Sequence, residues 1–581
     1  MDERLREFAE STFKLEENEG EDKVISLEEA IRRNVKPGMV LHISTFASAA
    51  LREILRQFWG TKPEFTLFAP PRLGSDLVHC GLVKKIIGGE GDVAYEIWSL
   101  AGISQRLLAG ALGTGFIPTK SMMGTDIAED NKDSFKVIDD PFGSGKTIGI
   151  IKAFNPDLTI VHGWASDRYG NTILPPSEMH VDEWSALASK NEVVVTVERL
   201  VSTAFIREHS PLLVKIPGYR VNSVSVVPFG AHPGYMTAWR GEKEFETYGM
   251  DSEFSAEHQK AARDPKTLDA WIKEWVLDCP SHEDYLRKLG NDRLQALISE
   301  ARVEKWESRL PFILEKVSPS LECNEREAMI VAAARKIKEA VIKRDYKVVV
   351  CGAGTAGLAP FLAYYQLKEE DYHVALMVGN GVFDFAPRPG EPALTSFPNW
   401  DTCKIRGHFV WAYNLIVFGE NQRSLSLLSA AQIDKFGNMN SGVEEGGKIF
   451  LSAPGGAADA YQANETMAVI AQSKNRFLEK VSYITSPGDR VKTLVSTLGV
   501  FEKLGDDEAF SLTACLPNPN LPTLEEKISN IKENCGWELK VALGVKEIPP
   551  PTFEELMTLR ILDPDDLISG ETRQSRRRFG P

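Results

Sequence analysis

Asp167-Arg168-Tyr169-Gly170-Asn171 closes an apolar run in the first half of the chain, and Asp434-Lys435-Phe436-Gly437-Asn438 closes another in the second. Each reads aspartate, cation, aromatic, glycine, asparagine. That pattern fits a strand entering a turn, because glycine and asparagine tolerate a positive φ that strains other residues. A five-residue match at comparable depth in each half predicts two related α/β domains in one chain. Around these turns, short β-rich runs (Met39 to Ile43, Thr159 to His162, Glu192 to Val197, Lys347 to Cys351, His373 to Val378) alternate with amphipathic stretches such as Ala49 to Phe58 and Glu325 to Ile342. The alternation predicts an α/β protein with largely parallel sheets. The pattern breaks at Ser318-Pro319-Ser320, after a charged helical region from about Glu242 to Glu315, and the main boundary is expected there.

The 581 residues carry 67 Lys+Arg against 82 Asp+Glu, a formal charge of −15, with a 43% hydrophobic share. At roughly 150 residues per domain this length excludes a single small module. Clustered cations would be needed to neutralise the phosphates of a nucleic acid or an anionic membrane, so neither is an expected partner. Only Arg573 to Arg578 is locally basic, and it reads as a solvated, disordered end. The seven cysteines are scattered without a C-x-x-C pair or zinc spacing, which fits a reduced cytoplasm. The acidic start lacks the basic and apolar regions of a signal peptide, and no uncharged apolar stretch is long enough to span a membrane.

Several motifs imitate known sites. Gly352-Ala353-Gly354-Thr355-Ala356-Gly357 follows a strand and opens a helix like a dinucleotide fingerprint, yet the next strand ends in Gly379-Asn380-Gly381 rather than in a ribose-binding acid. These glycines read instead as a loop bringing backbone amides to some ligand. Gly143-Ser144-Gly145-Lys146-Thr147 resembles the end of a P-loop but has Asp140 where the first glycine belongs, so a turn between strands is expected. Ser452-Ala453-Pro454-Gly455-Gly456-Ala457-Ala458-Asp459 follows a short strand, and its amides could serve an oxyanion or a phosphate; a packing turn fits the spacing equally well. His42 lies on an apolar strand as a core or pocket residue, no histidine pair has metal-ligand spacing, and there is no G-x-S-x-G elbow.

Taken together, these blocks resemble family I CoA-transferases, in particular the A and B subunits of glutaconate CoA-transferase fused in one chain. The A-like blocks are Lys36-Pro37-Gly38-Met39, Gly113 to Thr119 with Gly124-Thr125-Asp126, the Asp167 turn and Gly230-Ala231-His232-Pro233. The B-like blocks are Asn324 to Met329, Gln432-Ile433-Asp434, Gly455-Gly456-Ala457, Leu498 to Phe501, Pro549 to Thr552 and Leu559 to Pro564. On this resemblance the expected divisions are an acidic extension at 1–22, an A-like domain at 23–320, a B-like domain at 321–566 and a basic tail at 567–581. The resemblance implies two similar open α/β domains with the active site at their interface. It also implies an acyl-CoA substrate, with coenzyme A present only as part of that thioester and no permanently bound cofactor. A cytoplasmic homo-oligomer is expected.

In the family a glutamate in a Glu-x-Gly motif attacks the thioester and carries CoA as a glutamyl thioester. The matching stretch here is Val378-Gly379-Asn380-Gly381, which puts Gly379 at the nucleophile position, and glycine offers no nucleophile. Gly419-Glu420-Asn421 imitates the motif one strand too late. The family's glycine-rich turn after the first strand is replaced by Ser44-Thr45-Phe46-Ala47-Ser48, which should reshape the acyl pocket. The expected enzyme therefore works without a glutamyl-CoA intermediate, as a hydrolase or as a lyase that cleaves a C–C (ring) bond or decarboxylates. A transferase with a replacement nucleophile and a non-catalytic CoA-binding paralogue are the alternatives. The expected oxyanion or CoA loops are Gly455, Gly456, Gly352 and Gly354; the expected pocket is Ser44, Thr45, Phe46, Ser48, Gly379, Asn380 and Gly381; no metal is expected. Glu96 is the expected base, with the dipole of a following helix as its other reading. Asp384 reads as a surface turn or a cleft carboxylate, and Cys351 as inert core. Phe46, Trp98, Phe383 and Phe385 fit a hydrophobic acyl pocket or the core.

Overall fold

The computed structural model describes residues 2–15, 20–68, 74–88, 92–175, 181–191, 193–209, 214–236, 247–300, 306–394, 396–420, 422–444, 446–451, 453–505 and 508–570. Two large sheets organise them. In the first, Phe65–Phe68, Val40–Ile43, Leu158–Ser166, Val193–Leu200 and Val221–Val226 lie side by side in that order, every neighbouring pair parallel. In the second, Ala375–Val378, Val348–Cys351, Ser424–Leu428, Glu465–Ile470 and Val491–Ser496 repeat the arrangement, again all parallel. Numbered along the chain, both orders are 2-1-3-4-5. In this doubly wound topology ligands bind beyond the carboxyl ends of the strands, where the winding reverses.

Parallel strands covered on both faces need unbroken apolar runs. Ala375–Val378 and Glu465–Ile470 are accordingly buried along their whole length. The helix Glu325–Arg344 starts in a capping box between Asn324 and Glu327 and buries Ile330, Ala333, Ile337 and Val341. Each of its larger aliphatic side chains contributes roughly 1.5–3 kcal/mol on burial. Outside the shared five strands the halves diverge. The first sheet continues in parallel through Val83–Ile87 and Ala94–Glu96. The second turns antiparallel at both edges, through Val382–Phe383 with Ile405–Arg406 and through Gly499–Glu502 with Ser511–Cys515.

The paired turns are the same down to individual hydrogen bonds. Asp167 Oδ1 accepts from the amides of Tyr169 and Asn171, and Oδ2 from Asn171 Nδ2. Asp434 does the same with Phe436 and Asn438. Gly170 and Gly437 sit at φ +91° and +84°. A second echo, Pro217-Gly218-Tyr219-Arg220-Val221 and Pro487-Gly488-Asp489-Arg490-Val491, completes each turn: the Gly218 amide donates to Asn171 Oδ1 and the Gly488 amide to Asn438 Oδ1, both at 2.9 Å.

The halves meet along a hydrogen-bonded seam. Lys120 Nζ donates to the Phe418 carbonyl, the Met122 amide to that of Ala458, and the Ile484 amide to Asp126 Oδ2. Gly143-Ser144-Gly145-Lys146 is the loop between the antiparallel strands Phe135–Asp139 and Thr147–Lys152. Helices fill the charged region before the second half, from Ser252–Ala261 to Trp306–Lys316. The acidic start forms the helix Glu3–Thr12, which buries nothing. Arg573 to Arg578 lies outside the described residues. No helix among the described residues is long and apolar enough to cross a membrane.

Candidate active site

The glycine loops at 352–354 and 379–381 leave the carboxyl ends of parallel strands of the second half, whereas no strand forms at 448–451, where one was expected, and Gly455-Gly456 instead precedes a short helix. Gly379-Asn380-Gly381 is the tight turn between Ala375–Val378 and Val382–Phe383, closed by the Gly381 amide on the Val378 carbonyl. Gly381 has φ +89°, and a Cβ there would press into the backbone of Gly407 and His408. Asn380 is buried, its Oδ1 accepting from the Val382 amide. Gly352 abuts the Leu427 carbonyl, and Gly354, at φ +64°, precedes the helix Thr355–Glu369. Gly455 (φ +53°) and Gly456 precede the short helix Ala457–Ala460, and neither amide has an acceptor among the described residues. Ser452 lies outside the described residues. Two unclaimed, half-exposed N–H groups suit a developing oxyanion.

Tyr413 stands between two of these loops. A Cβ on Gly379 would lie 2.1 Å from its hydroxyl oxygen, and a Cβ on Gly456 would also lie 2.1 Å from it. The slot that a side chain at position 379 would use is therefore filled by a phenol from elsewhere. Tyr413 belongs to the π-helix Val410–Val417, an uncommon element often found at functional sites. The Phe418 amide closes that helix on the Tyr413 carbonyl, and the ring stacks with Phe409 and Phe418 at 6.2 and 6.4 Å. Burial raises its pKa, and nearby Asp459 pushes it in the same direction, so the phenol keeps its proton. His408 Nδ1 accepts from the Trp411 amide at the start of this helix; burial, aided by Lys215, lowers its pKa to about 4 and keeps the ring neutral.

Asp459 joins the halves. Its carboxylate accepts from Ser121 Oγ and from the Ala101 amide in the first turn of the helix Leu100–Ala111, whose partial positive end favours an anion. Burial still raises its pKa to about 6, against these bonds and that of Ser99. From the first half, the helix Val181–Ala188 sets Trp184 edge-on to His408, with ring centroids 4.9 Å apart. Its neighbour Glu183 is half-buried, and burial raises its pKa against the pull of Lys215.

The sequence-chosen residues are distributed differently. Ser44 and Phe46 point into the first half: Ser44 Oγ donates to Asp182, which also meets His42 Nε2 at 3.3 Å, and Phe46 packs edge-on against Tyr235 at 5.9 Å. Tyr235 in turn meets Trp400 of the second half at 5.9 Å. Thr45 is exposed, and Ser48 Oγ donates to the Ala231 carbonyl. Glu96 ends Ala94–Glu96 and accepts from Lys85 Nζ and Trp98 Nε1, with Arg106 at 3.6 Å. Burial works to raise its pKa, but Lys85, Trp98 and Arg106 prevail and lower it, leaving a well-paired anion and a weak base. Asp384 pairs with Lys404 at 2.7 Å. Cys351 is buried with its pKa raised by burial, an inert thiol. Trp98 and Phe385 are core residues, Phe383 is half-buried against Trp411, and Glu420 is exposed. No group of three or more ligating side chains is arranged for a metal among the described residues. Composition could not reveal Tyr413, because the π-helix that aims it carries no distinctive residue pattern.

The family model for coenzyme A transferase matches residues 24–226. The chain is 33% identical over 227 residues to an uncharacterized protein of Archaeoglobus fulgidus, covering 39% of this chain and 47% of that one. It is 30% identical over 217 residues to the first of the two component chains of the glutaconate CoA-transferase of Acidaminococcus fermentans, covering 35% of this chain and 62% of that relative. These alignments thus span roughly half to three fifths of the relatives' own lengths. The 3-oxoadipate CoA-transferase of Pseudomonas knackmussii matches through both of its component chains: the A-type one with 27% identity (47% of this chain, 99% of the relative) and the B-type one with 28% (41% and 92%). The fold is shared with the acyl-CoA transferase apoenzyme of Escherichia coli O157:H7, at 16% identity and a TM-score of 0.61, over 95% of this chain and 99% of that one. Residues 24–226 thus match the coenzyme A transferase family model, and both component types of a 3-oxoadipate CoA-transferase are matched within the 581 residues.

Proposed function

We propose that this protein is an enzyme acting on an acyl-CoA thioester without a glutamyl-CoA intermediate, by hydrolysis, C–C (ring) cleavage or decarboxylation. One observation carries the reading: position 379 has no side chain, and the Tyr413 hydroxyl fills the space a side chain there would need. The covalent relay of a ping-pong transferase needs a nucleophile at that point. Without one, water attacks the thioester carbon, or a carboxylate of the substrate itself leaves as carbon dioxide. In each route negative charge grows on the thioester oxygen, and the unclaimed amides of Gly455 and Gly456 suit that charge. Such a donor is worth about 3 kcal/mol of barrier. The glycine turn at Gly352 and Gly354 belongs to the same rim as a CoA-facing loop, and the Phe46, Tyr235 and Trp400 rings form the apolar wall nearest the altered first-strand turn. Glu96 enters the proposal as an ion-paired carboxylate, and E96A asks whether it acts on substrate.

The test is mass spectrometry of products from a panel of dicarboxylic and cyclic acyl-CoA thioesters, with and without acetate or succinate, in labelled water. Free CoA with labelled acid, ring opening or carbon dioxide without an acceptor is the expected result. Acyl-CoA exchange only when an acceptor is present sinks the proposal.

A further inference from the structure

The hydroxyl of Tyr413 sits where two loops from different parts of the second half converge, and it makes no hydrogen bond to the described residues. Its position is overdetermined: the ring is 4% exposed, stacks with Phe409 and Phe418, and is carried by a π-helix preceded by Gly407 and His408, which pack against Gly381. Two glycines are needed to admit it, since a Cβ on either Gly379 or Gly456 would collide with the oxygen. A buried phenol aimed between a vacant nucleophile position and two open amides is a donor waiting for an acceptor.

We propose that Tyr413 is a catalytic residue whose hydroxyl, standing in the glutamate's place, donates a hydrogen bond to the thioester carbonyl oxygen of the bound acyl-CoA. This rests on the reading given under Proposed function. In hydrolysis, water adds to the thioester carbon and gives up a proton to solvent. The carbonyl π pair moves onto oxygen, where Tyr413 donates beside Gly455 and Gly456. The pair then returns, the C–S bond breaks with its electrons on sulfur, and the CoA thiolate takes a proton from solvent. The phenol begins and ends protonated, in keeping with the raised pKa that burial gives it.

The experiment compares wild type with Y413F, which keeps the ring and removes only the donor. Expected is a fall in kcat of about 100-fold with KM within threefold. Calorimetry with an uncleavable methyl-ketone analogue of the acyl-CoA should show binding weakened about tenfold, with affinity for plain CoA unchanged. A kcat within twofold and unaltered analogue binding overturn the proposal. If wild type cleaves no thioester, the functional reading fails on its own, and the analogue binding still decides the role of Tyr413. A second pair of variants tests the place itself: after incubation with acyl-CoA and borohydride, which reduces a glutamyl-CoA thioester to the side-chain alcohol and releases CoA, G379E/Y413A should carry that alcohol at position 379 and G379E alone should not. An equal yield of the alcohol in G379E, or none in either, removes the equivalence of the two places and the proposal with it.

Discussion

The two halves of this molecule share a scaffold and differ in what they hang on it. Both run five parallel strands in the same order and lock the same aspartate turn with the same three hydrogen bonds. In the loops after the strands, however, the first half carries Ser44 and Phe46 and turns them inward, whereas the second half has glycine at 352 and 379 after its strands and again at 456 before the helix Ala457–Ala460. Stripping side chains brings backbone amides and a borrowed phenol to one point; keeping them fills the same region with packing. Repetition preserves the frame, and the chemistry proposed above is placed where one copy carries glycine.

The largest expected effect tests the shared frame. Asp167 and Asp434 are fully buried, so D167A and D434A each leave several amide and side-chain donors unsatisfied. Each should lose about 4 kcal/mol of stability, read as equal falls in melting temperature. A twofold disparity would break the equivalence of the halves.

Next comes the link between them. The pKa of Asp459 is raised from 3.8 to about 6, so the native state binds its proton more tightly than the unfolded chain does. Its stabilisation is complete below about pH 3.8 and disappears as pH rises through about 6. Over that window wild type should lose about 3 kcal/mol relative to D459N. Parallel pH profiles of the two proteins would show that this carboxylate is not the titrating group.

G379A probes the stripped half: one methyl group against Tyr413 should cut turnover by about 30-fold, near 2 kcal/mol of barrier. Unchanged turnover would show that the slot is not tight. The smallest effect belongs to the ion pair at Glu96, where E96A should alter stability by about 1 kcal/mol or less in thermal melts. A loss of activity far beyond that would give the carboxylate a direct part in the reaction and move chemistry back toward the first half.

Much of the frame was legible because burial on both faces of a parallel sheet demands continuous apolar runs. The strand expected at Lys347 to Cys351 is found at Val348–Cys351, and the aspartate turns were visible because their geometry restricts residue type. The site was harder to read. Val410–Val417 is largely apolar and offers no periodicity that distinguishes a π-helix from a buried strand, so Tyr413 could not be aimed from sequence. Glu96 was visible as a carboxylate, but its partner Lys85 comes from a neighbouring strand and Arg106 from the following helix, and those neighbours decide its basicity. The Pro-Gly-x-Arg-Val echo was present in the sequence, but it lies some fifty residues beyond each turn it completes.

The bond from the Ala101 amide to Asp459 has a consequence for assembly. It requires one half to lend the end of a helix to a carboxylate of the other, so neither half alone completes the rim beside Gly455 and Gly456. Relatives named as subunits A and B carry the matching stretches on two separate chains. Here both partners are tethered on one chain, at an effective concentration of roughly millimolar whatever the protein's abundance. A rim built this way should survive dilution that would separate two free subunits.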